Sequence, residues 1–186
     1  MRADADRETA FQAFFELHHA DLARLAYLIT GDANAADDIA ADSLLEIWRH
    51  WTRVAAAENP LAYARGVLAN LARNWLRRQR RERRGRLSVM LFTEEFRSPD
   101  VPAVLDVREA LRRLPLRRRE CVVLRYAFDV PEREVAAILG ISVGTVKSQT
   151  SRGAEQLASY LRDVPGVRDG GLVPALPGGG AWVLEA

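Results

Sequence analysis

Residues 131–157 constrain the fold more than any other part of the chain, because their spacing fits two helices joined by a tight turn. Val135 and Ile138 fall on one face of a first helix, and Gly140 can adopt the positive φ that such a turn needs. Ser142 is the expected N-cap of the second helix. The pattern predicts a helix-turn-helix, whose second helix enters the major groove of DNA. An ordinary pair of packed helices is the alternative that the spacing alone leaves open.

The second predicted helix has one apolar and one polar face. Val143, Val146 and Leu157 are expected to hold it against the first helix. The opposite face carries side chains that suit DNA, since Arg can read guanine, Gln can pair with adenine, and Ser, Thr and Lys can hold phosphates or base edges. The candidate DNA-contacting residues are therefore Thr145, Lys147, Ser148, Gln149 and Arg152.

A second basic region lies in residues 73–86, which read RNWLRRQRRERRGR. The net charge of the chain is only +2, so the clustering of the charge is more informative than its sum. Such a run repels itself unless an anion is near. The arginines, opposed only by Glu82, are Arg77, Arg78, Arg80, Arg81, Arg83, Arg84 and Arg86.

The composition disfavours several other classes of protein. Cys121 is the single cysteine, so no internal disulfide can form, and the three histidines lack partners at metal-ligand spacing. No phosphate-binding glycine loop, nucleophile elbow or His/Cys/carboxylate cluster occurs, which argues against a hydrolase or a metal enzyme. We expect no catalytic residue, metal or other cofactor. The N-terminal residues do not resemble a secretory signal, and no segment reaches membrane-spanning length.

Every strong apolar pattern has a helical period, so the chain is predicted to be all-α. Residues 11–29 suggest two short helices, the second ending at Gly31. A third helix is expected over residues 35–51, with Asp37 and Asp38 in its first turn. Asn59 and Pro60 are the expected N-cap and first residue of a fourth helix, which continues into the arginine run.

A domain boundary is predicted where Ser and Pro interrupt the helical pattern. Two further helices, over residues 104–114 and 115–126, precede the helix-turn-helix. We therefore expect two small helical domains, at residues 1–84 and 104–162, joined by a flexible linker at residues 85–103. The Gly- and Pro-rich residues 163–186 are predicted to be a disordered tail.

The order of these features resembles one known family, the extracytoplasmic-function (group 4) sigma factors of the bacterial sigma-70 family. DDIAADSLLEIWRHW at residues 37–51 looks like the polymerase-binding region 2.2, and NPLAYARGVLANLARNWLRRQRR at residues 59–81 looks like regions 2.3 and 2.4. Residues 108–153 resemble region 4, and GTVKSQTSRG within them is similar to the actinobacterial SigE-type subgroup. Two motif sets in the right order make this resemblance more specific than either one alone.

The resemblance implies a promoter-specificity subunit of RNA polymerase that is not an enzyme. In this family the first domain grips a coiled coil on the β′ clamp of core polymerase, melts the promoter and captures its −10 element. The second domain reads the −35 element and meets the β flap. On the third helix, a mixed acidic and apolar surface suits a basic partner helix, although a solvated helix face would look the same. Its candidate polymerase-binding residues are Asp38, Asp42, Leu45, Glu46 and Arg49.

Strand opening without a motor requires that the melted state be bound better than the duplex, so surfaces for unpaired bases are needed. Asn70 and Asn74 lie four residues apart, on one helical face, and can hydrogen-bond base edges. Trp75 could stack on a base, but an aromatic residue at this spacing also fits a core position. The candidate −10 residues are Tyr63, Asn70, Asn74, Trp75, Arg77, Arg78, Arg80 and Arg81.

Four more arginines, Arg117, Arg118, Arg119 and Arg125, could clamp phosphates around a −35 site, or some could pair with Glu120 or Glu132. Members of this family are commonly inhibited by an anti-sigma partner, but no residue here identifies one. We expect a cytoplasmic protein that associates with the nucleoid when bound to polymerase. The main alternative is a stand-alone helix-turn-helix regulator that binds duplex DNA and needs no polymerase.

Overall fold

The computed structural model describes residues 2–86 and 102–162, and within these two ranges the chain is all-α, without a strand. Most of the predicted linker and the whole predicted tail lie outside the described residues. None of the described helices is both long and apolar enough to cross a membrane. The helices are α1 (Arg2–Thr30), α2 (Ala33–Arg49), α3 (Trp51–Ala55), α4 (Pro60–Arg86), α5 (Pro102–Arg113), α6 (Leu116–Val122), α7 (Glu132–Leu139) and α8 (Val143–Arg162).

The N-terminal part of the chain forms one long helix, so the prediction of two short helices over residues 11–29 was wrong. No Gly or Pro lies between the two apolar clusters, and the hydrogen-bonded helix therefore continues through them. The predicted end is confirmed. Gly31 has φ +74°, and its amide donates to the Tyr27 carbonyl at 2.7 Å.

α2 begins earlier than predicted, and its capping carboxylate is Asp32. The Asp32 Oδ1 atom accepts a hydrogen bond from the Ala35 amide at 2.9 Å. Asp37 and Asp38 therefore lie beyond the first turn in which the sequence pattern had placed them. Trp51, expected as the last residue of this helix, instead begins α3, and His50 separates the two helices.

The predicted start of α4 is confirmed. The Asn59 Oδ1 atom accepts a hydrogen bond from the Ala62 amide at 2.9 Å, and Pro60 is the first helical residue. α4 then continues without interruption through the arginine run to Arg86. Consequently one continuous helix connects the core of the first bundle to the most basic stretch of the sequence.

The helices form two bundles that share a continuous apolar core. In the first bundle, α1, α2 and α4 pack together around fully buried side chains such as Leu25, Ile47 and Leu68. In the second bundle, α6, α7 and α8 pack around Leu124 and Val146. A π-helical turn follows α6 and leads into α7. The bundles touch where α7 lies on α4 and where α5, α6 and the π-helical turn lie on α1, so the expected domains are packed against each other.

Truncation of Leu25 tests the packing of the first bundle. Its side chain is 1% exposed, and Leu25→Ala is expected to lower the free energy of unfolding by about 2–5 kcal/mol because it leaves a cavity. Leu17 lies on the same helix but is 72% exposed, so Leu17→Ala is the matched control, with an expected change below about 0.5 kcal/mol. Urea unfolding followed by circular dichroism measures both. Equal losses from the two variants would contradict the placement of α1.

Candidate nucleic-acid interface

The helix-turn-helix has the geometry that its sequence predicts. α7 ends at Leu139 and is capped by Gly140, whose φ of +64° and ψ of +41° place it in the left-handed region. The Ser142 Oγ atom then accepts a hydrogen bond from the Thr145 amide at 3.1 Å and caps α8. Val135 and Ile138 are buried on α7, and Val146 is buried on α8. The turn therefore fixes α8 across α7, with one face of α8 in solvent.

The predicted DNA-contacting side chains lie together on this solvent face. Four of the five are exposed, and Gln149 is half-buried. Lys147 is 3.8 Å from a Glu132 carboxylate oxygen, and this exposed pair holds it only weakly. The Arg152 side chain makes no hydrogen bond or ion pair with any described residue. The face carries Thr145, Lys147, Ser148, Gln149 and Arg152, with Arg152 the most available cation.

The arginines beside the helix-turn-helix are mostly engaged within the protein. Arg118 donates to the Gln156 side chain at 2.7 Å, and Arg125 donates to the Val130 carbonyl at 2.5 Å. Arg119 is 5% exposed, and burial lowers the pKa of its guanidinium to about 10. Arg117 pairs with Glu120, one of the two acidic partners considered from the sequence. Arg119 is thus a structural residue in this arrangement, not a surface cation for phosphates.

The −10 candidates on α4 form a second polar surface. Asn70 and Asn74 are both exposed and lie one turn apart, as the spacing predicted. The Asn70 Oδ1 atom accepts a hydrogen bond from Arg73, which fixes the direction of its amide. Arginines in the run that follows are exposed, so a basic ridge extends along α4 beyond the two amides. The exposed arginines of that ridge are Arg77, Arg78, Arg80 and Arg81.

Two aromatic residues flank this surface. Trp75 is half-buried and packs against the core, so its ring serves packing while part of it stays accessible. Tyr63 is also half-buried, and its hydroxyl accepts a hydrogen bond from Arg53 at 2.6 Å. Arg53 was absent from the predicted site. Because it precedes Tyr63 by ten residues and lies in a different helix, helical periodicity gave no signal for this pair.

The predicted polymerase-binding residues share the outer face of α2. Leu45 is 47% exposed, which is unusual for a leucine in this protein. Asp42 and Asp38 are exposed one and two turns before it, respectively, while Glu46 pairs with Arg49 at 3.3 Å. An exposed leucine framed by carboxylates can accept a partner helix that offers apolar and basic side chains.

Buried charges hold the two bundles together, and the sequence did not predict this. Glu120 has no exposed side-chain surface, and its carboxylate oxygens lie 3.4 Å from Arg73 Nη1 of α4 and 3.1 Å from Arg117 Nη1 of α6. Burial raises the pKa of Glu120, whereas the charges of Arg73 and Arg117 lower it. A second ion pair, Arg65 with Glu134 at 3.4 Å, connects α4 to α7.

No group of His, Cys, Asp and Glu side chains that could hold a metal ion occurs within residues 2–86 and 102–162. The described surfaces offer amides, aromatic rings and arginines, which can hydrogen-bond, stack and carry charge. These interactions suit a nucleic acid, whose backbone phosphates need cations and whose unpaired bases need amides and aromatic faces.

Comparisons with known proteins match both bundles. The family described as "Sigma-70 region 2" matches residues 14–82, and the family described as "Sigma-70, region 4" matches residues 105–157. The chain is 32% identical over 170 residues to the ECF RNA polymerase sigma factor SigL of Mycobacterium tuberculosis, covering 87% of this chain and 94% of the relative. It is 29% identical to SigM of the same species, covering 82% and 77%.

Two solved structures share the fold. The sigma factor RpoE from Bartonella quintana, in complex with the anti-sigma factor NepR, has a TM-score of 0.70 at 24% identity, over 83% of this chain and 98% of that one. CnrH, in complex with the cytosolic domain of CnrY, has a TM-score of 0.63 at 22% identity, over 83% and 89%.

A glycine beside Arg152 provides a test of how α8 is seated. A Cβ atom at Gly153 would lie 2.6 Å from Val122 Cγ2 and 3.3 Å from the Arg118 carbonyl. Gly153→Ala is therefore expected to push α8 from α6 and to lower the free energy of unfolding by about 1–3 kcal/mol. Gly144→Ala is the control, since its Cβ would meet only Ser142 Oγ at 3.9 Å. Thermal unfolding distinguishes them, and a Gly153→Ala protein as stable as Gly144→Ala would contradict this packing.

Proposed function

The chain belongs to the extracytoplasmic-function sigma factors of the sigma-70 family, and on this premise we propose how its parts share the work of promoter recognition. Residues 1–84 bind core polymerase and open and capture the −10 element. Residues 104–162 read the −35 element, and residues 85–103 connect the two. The chain selects the start site while the polymerase performs the chemistry, so this function needs no catalytic residue or cofactor in the chain.

One observation carries the proposal: a single chain presents an exposed helix-turn-helix face and, on another bundle, an exposed row of amides and arginines. A stand-alone regulator needs only the first of these. The second suits unpaired DNA, because Asn70 and Asn74 can bond base edges while the arginine ridge holds the backbone. We assign −10 recognition to this α4 surface, with Tyr63 and Trp75 as the stacking candidates.

We assign polymerase binding to the outer face of α2. An exposed leucine surrounded by carboxylates is costly to leave in water but favourable against a helix with basic and apolar residues. A coiled coil of the β′ clamp and the β flap are the partners that the family implies. RpoE, which shares this fold, is found in complex with an anti-sigma factor. We extend that to this chain and propose an anti-sigma protein as its regulator.

Run-off transcription from a promoter library, with and without this chain added to core polymerase, tests the function. We expect initiation at sites with shared −35 and −10 sequences only when the chain is present. Tight duplex binding by the chain alone, together with no binding to core polymerase, would contradict the proposal and favour a stand-alone regulator.

A comparison of Leu45→Ala with Leu17→Ala tests whether the α2 surface binds core polymerase. Both leucines are exposed, at 47% and 72%, so neither substitution should destabilise the fold. Only Leu45→Ala is expected to weaken binding to core polymerase, by roughly tenfold, the effect of losing about 1.4 kcal/mol of apolar contact. Equal affinities for the two variants would remove Leu45 from the interface.

Arg152→Ala tests the −35 surface. If Arg152 contacts a backbone phosphate, its removal weakens promoter binding by the holoenzyme and lowers the slope of log affinity against log salt by about one. Arg113→Ala is a suitable control, because Arg113 is an exposed arginine of the same bundle that pairs with Glu109 and lies over Tyr160 near the other end of α8. Unchanged binding of Arg152→Ala across several salt concentrations would exclude this role.

A further inference from the structure

A shallow cleft beside α1 and α2 lies outside the surfaces assigned to DNA and polymerase. Its volume is about 380 Å³, and most of its lining is apolar. Three alanines contribute to that lining, Ala23 of α1 and Ala33 and Ala36 of α2, and Ala36 is buried. Cavities of this size, lined by apolar groups with a few charged ones, are typical of binding sites. The cleft is therefore a place where a large apolar side chain can be covered.

Helix α5 of the second bundle forms one wall of the cleft. The Arg108 guanidinium carbon lies 4.7 Å from the centroid of the Tyr27 ring, and both residues line the cleft. One turn further along α5, the Arg112 side chain lies over Gly31, with its Cδ atom 2.7 Å from where a Cβ atom would be. These two contacts place α5 along the C-terminal end of α1.

The charges around the cleft favour an occupant that is both aromatic and acidic. Arg24 and Arg108 line it together with a single carboxylate, Asp37, so the net charge of the lining is positive. Arg24 is exposed there, and its guanidinium carbon is 5.4 Å from the centroid of the Phe128 ring. Guanidinium groups bind carboxylates and also stack on aromatic faces. An aromatic ring next to a carboxylate would therefore match the apolar lining and the cations together.

One segment of this chain has that composition. Residues 181–186 read AWVLEA, in which Trp182, Val183 and Leu184 precede Glu185. Trp182 is the single aromatic residue of residues 163–186. Three consecutive large apolar side chains are unfavourable in water, so a covered position stabilises them. The tryptophan supplies the aromatic face and Glu185 supplies the carboxylate.

The end of α8 brings this segment within reach of the cleft. The Tyr160 ring, in the last turn of α8, lies 5.9 Å from the guanidinium carbon of Arg113, which follows Arg108 by five residues on α5. With packed helices 8–10 Å apart and a rise of 1.5 Å per residue, the path across α5 to the cleft is about 30 Å. Nineteen residues, six of them Gly, lie between Arg162 and Trp182. A Gly-rich chain of this length has a root-mean-square span of about 25 Å and a maximal reach of about 60 Å.

We propose that residues 182–185 dock in this cleft of their own chain, with the Trp182 ring against the alanines and Glu185 beside the two arginines. Because the span of the connecting residues matches the path, the effective concentration of the segment at the cleft is about 1 mM. A segment that binds the cleft with a dissociation constant of about 0.1 mM is then docked about 90% of the time.

Docking leaves the proposed polymerase-binding face of α2 uncovered. Ala33 and Ala36 precede Asp42 and Leu45 by nine residues each. Successive residues of a helix are about 100° apart, so each of these alanines lies on the opposite side of α2 from its counterpart. The docked segment and a polymerase helix can therefore occupy α2 together. The inference is independent of the proposed function, and the experiments below need neither polymerase nor DNA.

A competition measurement tests whether the cleft is occupied. A peptide of residues 181–186 is titrated into the wild-type chain and into a Trp182→Ser chain, and binding is followed by the NMR amide signals of Ala23 and Ala36. We expect the peptide to bind the variant about tenfold more tightly, because about 90% of the wild-type cleft is already filled. Equal affinities, or no binding to either chain, would overturn the proposal.

A matched pair of substitutions tests where the peptide binds. Ala33 and Asn34 are both exposed in the first turn of α2, but only Ala33 lines the cleft. A carboxylate suits the N-terminal end of a helix, so neither Ala33→Glu nor Asn34→Glu should destabilise the fold. In the Trp182→Ser chain, only Ala33→Glu is expected to weaken peptide binding, by roughly tenfold, because it puts a charge into the apolar lining. Equal effects of the two substitutions would place the peptide elsewhere and overturn the proposal.

A spin label attached at Gly180→Cys shows whether the segment binds its own chain. Cys121 is buried, and burial raises its thiol pKa to about 11, so the label attaches to the introduced cysteine. We expect the label to broaden the amide signals of Ala23 and Ala36 in dilute protein, and Trp182→Ser to remove the broadening. Broadening that appears only as the protein concentration rises would assign the segment to a second copy. That result, or no broadening at any concentration, would overturn the proposal.

Discussion

The arrangement of the two bundles depends on the buried ion pairs of Glu120. Its carboxylate has no contact with solvent, and it is stabilised from opposite sides by Arg73 of α4 and Arg117 of its own helix. Such a charge is tolerated only while its partners are in place, since an unpaired buried carboxylate costs several kcal/mol, about 3–5 by comparison with broken buried pairs. The position of α6, and through it that of the helix-turn-helix, is therefore coupled to the position of α4.

The arginines discussed above fall into two groups with different roles. Arg65, Arg73 and Arg119 are largely withdrawn from water and hold helices together. Arg152 and the ridge at the end of α4 remain in solvent, where a phosphate backbone can reach them. Because Asn70 accepts a hydrogen bond from Arg73, the same arginine contacts both the buried Glu120 and the proposed −10 surface. The orientation of that amide is thus physically connected to the contact between α4 and α6.

Local signals in the sequence were sufficient for most of the fold. The signals that start or end a helix act within a few residues, and four of them were predicted correctly: Gly31, Gly140, Asn59 with Pro60, and Ser142. The exposed faces of α2, α4 and α8 followed from helical periodicity alone. The division of residues 11–29 into two helices was wrong, because a break in the apolar pattern does not end a helix when no Gly or Pro is present.

The buried polar contacts between the bundles had no such signal. Arg73 and Glu120 are 47 residues apart, and a glutamate among arginines is as compatible with a surface ion pair as with a buried one. Arg119 illustrates the same limit, since it was a candidate for phosphate contact and is instead buried. Periodicity identifies which face of a helix is polar, but it does not identify which polar residue a distant helix will cover.

As a sigma factor, this one chain must direct polymerase to two separate promoter elements and open the second. Footprinting of the holoenzyme on a selected promoter, combined with permanganate reactivity of unpaired thymines, tests it directly. We expect two protected segments about 25 base pairs apart, about 85 Å along the duplex, and reactive thymines at the downstream segment only when the chain is present. A single protected segment on fully paired DNA, unchanged by core polymerase, would contradict it.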